Sequence, residues 1–122
     1  MILEPGMKVM IAHRRLFEGD QPRIFVGTIE GYEDGLARVT GYTWTRDGMR
    51  GGYVRKNDPR TKIVAIASGT VIVYQLDSGV DVERFTISTE GTDVIAKDGL
   101  GFRMDLTESH LHAPALPALG KR

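Results

Sequence analysis

Hydrophobic and polar residues alternate with a period of two along several short stretches of this chain, which is the pattern of β-strands with one buried face. Residues 7–17 form the first such stretch, and residues 24–32 form the second. The dipeptide Asp34-Gly35 follows, and it strongly indicates a hairpin because both central residues of a tight turn need positive φ. A third strand is therefore predicted over residues 36–46. No amphipathic helix of normal length appears, so the pattern predicts an all-β protein.

Residues 62–76 differ from these stretches because they are apolar at both odd and even positions. A strand covered on one side alternates apolar with polar residues, so this pattern predicts burial on both faces. The second cover is either a partner subunit or the C-terminal third of the chain. In that third, apolar residues near Phe85, over 94–96 and over 102–106 predict a β-meander closed by the turn Asp98-Gly99.

The length of 122 residues suits one domain with one core. We assign residues 1–108 to a single β-barrel domain with a C-terminal β extension. Residues 109–122 are rich in Ala and Pro without a regular period, so we predict a flexible tail. The N-terminus has no basic start followed by an apolar run, and we therefore expect a cytoplasmic protein that does not enter membranes.

Two glycines, Gly27 and Gly31, lie inside the predicted second strand. Glycine weakens a strand interior unless the chain bends there or another backbone comes close. The two positions therefore predict a sharply bent sheet.

The spacing Phe25-x-Gly27-x-Ile29-x-Gly31-Tyr32, followed by an acidic residue, resembles the first signature of the Sm-like small β-barrels. Residues 66–73 resemble that family's second signature, in which a glycine at a sharp turn joins the fourth and fifth strands. The resemblance covers residues 7–77 and implies a small, strongly bent antiparallel barrel of the Sm or SH3-like kind. It also implies assembly through exposed edge strands.

The chain departs from the family at the positions that hold RNA. Sm-like proteins use an Asp and an Asn after the second strand, and an Arg before the glycine of the second signature. Here the first loop is shortened to Glu33-Asp34-Gly35, and Ser68 stands where the Arg would be. The resemblance therefore does not imply the family's base pocket.

Net charge is zero, with 16 basic and 16 acidic residues, but the basic residues concentrate in one segment. Residues 42–62 contain six basic and two acidic residues, and three aromatic residues lie among them. Aromatic rings can stack bases while cations hold phosphates, as on surfaces that bind single-stranded nucleic acid. The candidate binding residues are Tyr42, Trp44, Arg46, Arg50, Tyr53, Arg55 and Lys56. Two alternatives stay open: a solvated basic loop, and core or interface roles for Tyr42 and Trp44.

No grouping of residues predicts catalysis. The chain has no cysteine, and His110-x-His112 lies in the predicted tail, so we predict no metal, no cofactor and no enzymatic activity. The leading hypothesis is an assembly or interaction module that forms a homo-oligomer through an edge strand or the apolar residues 63–76. The alternative hypothesis is an RNA or single-stranded DNA binding protein that uses residues 42–62.

Overall fold

A computed structural model describes residues 2–14, 22–46 and 52–106 of the chain. Within these ranges the strands are β1 Lys8–His13, β2 Arg23–Glu33, β3 Leu36–Arg46, β4 Tyr53–Arg55, β5 Arg60–Ala65, β6 Val71–Gln75, β7 Thr86–Glu90, β8 Asp93–Lys97 and β9 Arg103–Asp105. A short 3-10 turn, Ile66–Ser68, joins β5 to β6. The all-β prediction is confirmed. None of the described residues forms a helix that is long and apolar enough to cross a membrane.

The predicted strand limits agree best where turn chemistry is strong. Strand β3 has the predicted bounds, and the hairpin before it turns at Asp34 and Gly35, with φ angles of 49° and 81°. The first strand is shorter than predicted, because β1 ends at His13. The rest of that prediction, from residue 15 to 17, lies outside the described residues, as does the predicted tail 109–122.

Six strands form one antiparallel sheet in the order β4-β3-β2-β1-β6, and β5 also pairs with β3. Because β2 occupies one edge of β3, both β4 and β5 lie along its other edge, β4 near residues 44–46 and β5 near residues 36–41. In the described part of the chain β5 and β6 each pair on one side only, so the sheet does not close into a complete barrel. Strands β7, β8 and β9 form the predicted C-terminal meander.

Gly27 permits a close approach between the backbones of β2 and β3. It pairs with Gly41, and a Cβ atom on Gly27 would lie 2.8 Å from the Thr40 carbonyl carbon. A Cβ atom on Gly41 would lie 2.7 Å from the Val26 carbonyl carbon. Gly27 therefore permits the close backbone approach that is one of the two reasons for a glycine inside a strand, and Gly41 is its unpredicted partner.

Gly31 has a different role. The pairing of β2 with β3 shifts register between Ile29 and Gly31, which is a bulge-like irregularity. A Cβ atom there would meet only the Arg38 Nη1 atom, at the ordinary contact distance of 3.7 Å. No close backbone contact requires glycine at this position.

The six-stranded sheet has a hydrophobic cluster on each face. The inner cluster, on one face, consists of Val9, Ile11, Phe25, Ile29, Ala37 and Val39. The outer cluster joins the opposite face to the C-terminal meander and consists of Met10, Ala12, Ile24, Val26, Trp44, Tyr53, Leu76, Val80, Phe85, Ile87, Val94, Ala96 and Leu106. Strands β1 and β2 therefore contribute alternate residues to two separate cores.

The prediction of double burial for residues 62–76 is wrong. The stretch is two edge strands joined by a turn, and Ile63 remains 65% exposed. The C-terminal meander does supply a second cover, but it packs mainly over the outer face of β1 to β4, and in the predicted stretch the outer cluster includes Leu76 and contacts Tyr74. Strand β1 is buried on both faces over Val9–Ala12. The continuous apolar run at these positions is the sequence pattern that predicts such burial.

Candidate functional site

Trp44 and Tyr53 belong to the outer cluster, where they are 6% and 9% exposed. Trp44 pairs with Ile24 across β2 and β3, and its face of the sheet is covered by the meander. A buried ring cannot stack on a base, so the predicted stacking role of these two residues is wrong. The alternative interpretation of Trp44 as a core anchor agrees with its burial.

Tyr42 and Arg55 join the sheet to the connection between β6 and β7. The Tyr42 hydroxyl donates a hydrogen bond of 2.7 Å to Glu83 Oε1, which raises the pKa of Tyr42. The Arg55 guanidinium lies 4.3 Å from the centre of the Tyr42 ring and donates a 2.9 Å hydrogen bond to the Glu83 carbonyl oxygen. Both side chains therefore have structural contacts that occupy their polar groups.

Three predicted site residues remain, and the structure describes two of them. Arg46 lies at the end of β3, opposite Tyr53, and is half-buried. Arg50 lies outside the described residues. Of the six candidates that the structure describes, Lys56 lines the basic groove that is presented next.

An open groove of about 700 Å³ lies where the bent sheet ends. Residues from β2, β3, β5 and the connection before β5 line this basic groove: Arg23, Thr43, Thr45, Lys56, Asn57, Asp58, Arg60, Thr61 and Lys62. Four of these side chains are cationic, and one is a carboxylate. The groove therefore concentrates positive charge on a protein whose net charge is zero.

Strand register explains why polar side chains meet at this end. Thr43 pairs with Phe25, and Lys62 pairs with Val39, so both lie on the inner face of the sheet beside members of the inner cluster. Because side chains alternate along a strand, Arg23 lies on the same face as Phe25, and Arg60 lies on the same face as Lys62. The inner face thus changes from hydrophobic to cationic along each strand.

Lys62 is the most enclosed cation of the groove. Its Nζ atom lies 4.7 Å from the centre of the Phe25 ring and donates a 3.2 Å hydrogen bond to Thr43 Oγ1. Partial burial lowers the pKa of Lys62, and the neighbouring charges of Arg23, Lys56 and Arg60 lower it further. Arg23, Lys56 and Arg60 therefore lie close enough to Lys62 to disfavour its charged form.

A second cavity, of about 250 Å³, adjoins the basic groove and shares Arg23 and Lys62 with it. It adds His13 from the end of β1, the hydroxyl residues Ser68 and Thr70, and the apolar residues Ile63, Val64, Ala65 and Val71, of which Ile63 and Ala65 lie on the outer face of β5. Burial lowers the pKa of His13, and Arg23 and Lys62 lower it further. A site with this arrangement favours an anion, because each positive charge would gain a partner.

Sequence reasoning missed Arg23 and His13, and it counted Arg60 and Lys62 only as part of a basic segment. The spacing of Arg60, Lys62 and Val64 is the signal that could have found the last two, since period two places them on one face. Across the described ranges, no group of three or more His, Asp or Glu side chains is placed to hold a metal ion. The residues His110 and His112 lie outside those ranges.

The outer face of β5 presents a second feature, the β5 patch, which consists of Leu36, Ile63 and Ala65. Leu36 pairs with Ala65, and all three side chains are exposed. Glu33 and Arg38 flank the patch, and they line a shallow cavity of about 310 Å³ together with Leu36 and Ile63. The patch and the basic groove use opposite faces of the same strand.

Comparison of the chain with protein-family models, curated proteins and solved structures finds no match.

Proposed function

We propose that this protein is a non-catalytic interaction module that associates with a second copy of itself through the β5 patch. The observation that supports this proposal is the 65% exposure of Ile63 on a strand that pairs on only one side in the described chain. Unpaired strand edges present rows of N–H and C=O groups that readily pair with another chain. Proteins usually protect such edges with charged side chains. The charged residues of β5, Arg60 and Lys62, face the basic groove, whereas Ile63 and Ala65 are exposed on its outer face.

The charges beside the β5 patch favour a copy of this chain as the partner. Glu33 and Arg38 flank the same apolar surface, so two patches related by a two-fold axis can bring each carboxylate to the opposite guanidinium. The net charge of zero adds no long-range repulsion between copies.

Sedimentation velocity at about 50 μM tests this association. We expect the wild-type protein to sediment as a dimer or larger species and Ile63→Lys to sediment as a monomer, because a lysine in the patch would be buried without a partner. Val54→Lys is the matched control, since Val54 is 50% exposed on β4 and lies outside the patch. A monomeric wild-type protein at this concentration would contradict the proposal.

The family resemblance remains part of the proposal. Gly69, with φ of 83°, ends the turn that joins β5 to β6, where the second Sm-like signature requires a sharp turn. This geometry supports a relationship to small Sm-like or SH3-like barrels, although the described sheet is open. Solving the structure of the assembled protein tests whether the edge of β5 pairs with another copy.

A second candidate function is the binding of RNA or single-stranded DNA. The four cations of the basic groove favour it, because phosphate contacts supply most of the affinity in such complexes. Base stacking on Trp44 or Tyr53 has no place in this candidate, since both rings are buried.

A further inference from the structure

The basic groove and its adjoining cavity form one continuous surface, because Arg23 and Lys62 line both, and the cations are concentrated in the groove. We propose that this surface is a binding site for phosphate groups, held chiefly by Arg23, Arg60 and Lys62. The proposal deepens the nucleic-acid candidate by naming the residues that hold the phosphates, and it does not depend on self-association.

Charge balance is the first argument. Lys56, Arg60, Lys62 and Arg23 face the groove with Asp58 as the one carboxylate in its lining. The carboxylate of Glu90 pairs with Lys97 and Arg103 in the meander, and it does not line the groove. The four groove cations therefore outnumber the carboxylate in the lining, and an incoming anion would supply further partners.

Preorganisation is the second argument. Lys62 is held by the Phe25 ring and the Thr43 hydroxyl, so its ammonium group is directed along the groove before any ligand arrives. Fixing a long side chain in advance removes part of the entropy cost of binding. Ordinary exposed lysines have no such support.

Shape is the third argument, and it bears on the source of the phosphate. The groove is open and, at about 700 Å³, much larger than one phosphate ion. Cations from β2, β5 and the connection before β5 lie along it, so consecutive phosphates of an extended chain can each meet a different cation. Beside Lys62, a phosphate group of a nucleic-acid backbone and the phosphate of a small ligand would bind through the same charged contacts.

The test uses the full chain and two double variants that remove the same charge. Arg23→Gln with Arg60→Gln alters two exposed groove residues and leaves the contacts of Lys62 in place. Lys97→Gln with Arg103→Gln alters two exposed cations of the meander. Binding is followed by fluorescence anisotropy of a labelled 12-nucleotide oligothymidylate, and separately by the NMR shifts of His13 during titration with inorganic phosphate.

For single strands, the logarithm of the binding constant falls by about 0.7 per phosphate contact for each tenfold rise in salt. Four contacts would therefore make the affinity for the oligonucleotide fall about 50-fold between 50 and 200 mM salt. The groove variant should lose only about sevenfold over that range because two contacts remain, and the meander variant should behave as wild type. This outcome supports the site with a nucleic-acid chain as the source.

If the oligonucleotide does not bind but inorganic phosphate shifts the His13 signals saturably in wild type and not in the groove variant, the site is supported with a small phosphate ligand. Absence of both effects overturns the proposal. Equal loss of binding in the groove and meander variants also overturns it. None of these outcomes depends on the sedimentation result.

Discussion

The pairing of Gly27 with Gly41 makes a quantitative prediction for Gly27→Ala. The added methyl group would overlap the Thr40 carbonyl and lie 2.9 Å from the Gly41 Cα atom, so backbone atoms of β3 would have to move. Ordinary contacts of a Cβ atom begin near 3.4 Å, and a shift of about half an ångström must then spread along paired strands at the centre of both cores. Overpacking of this kind costs about 1–3 kcal/mol, and rigid backbone neighbours favour the upper end of that range.

Gly31→Ala is the matched control, because it makes the same chemical change four residues along the same strand. Its new methyl group would meet only the flexible end of Arg38, at 3.7 Å. Replacing a strand glycine lowers the entropy of the unfolded chain, so this variant should be neutral or more stable by up to about 1 kcal/mol.

Urea unfolding followed by Trp44 fluorescence measures both variants, since the single tryptophan is buried in the outer cluster and will report its disruption. We expect the free energy of unfolding of Gly27→Ala to lie about 2–4 kcal/mol below that of Gly31→Ala. Equal unfolding midpoints for the two variants would refute the close approach of β2 and β3.

Two further predictions concern Trp44 in the outer cluster and Asp98 in the turn between β8 and β9. Trp44→Ala should lower stability by about 3–5 kcal/mol, measured by circular dichroism during urea unfolding, and a loss below 1 kcal/mol would contradict its role as a core anchor. Backbone N–H groups of Leu100, Asp81 and Phe102 donate hydrogen bonds to the Asp98 carboxylate and lower its pKa. The ionised carboxylate therefore contributes its full stabilisation above about pH 4, the pKa of an unfolded Asp, and this stabilisation is lost as pH falls through the lower pKa of the folded state. The urea midpoint of wild type should therefore fall more than that of Asp98→Asn between pH 5 and pH 2.5, whereas parallel losses would show that Asp98 does not contribute.

Local signals in the sequence were sufficient for the first half of the fold. The Asp34-Gly35 turn defines the hairpin because few residue pairs accept its φ angles. The hairpin then brings Gly27 to Gly41, and the glycine at position 27 indicated a special backbone position, but the same reasoning applied to Gly31, where no close backbone approach occurs.

Long-range packing could not be predicted in the same way. The apolar run 62–76 looks like a buried strand, but whether a face is covered depends on where the C-terminal meander packs. Trp44 illustrates the same limit for the site: its basic neighbours in sequence, Arg46 and Lys56, do not share its environment in the fold. The groove instead collects Arg23, Arg60 and Lys62 from strands that are far apart along the chain.

Strand β5 separates the two proposed activities physically. Ile63 and Ala65 point outward in the β5 patch, whereas Arg60 and Lys62 point inward to the basic groove, because side chains alternate along a strand. A second copy bound at the patch would therefore leave the basic groove accessible, although Ile63 and Ala65 also line the adjoining cavity. We expect Leu36→Lys, which changes the patch outside the groove and the adjoining cavity, to bind phosphate groups as wild type does, and Arg23→Gln with Arg60→Gln to sediment as wild type does. Loss of both properties in either variant would mean that one surface serves both activities, and that the alternation of β5 does not separate them.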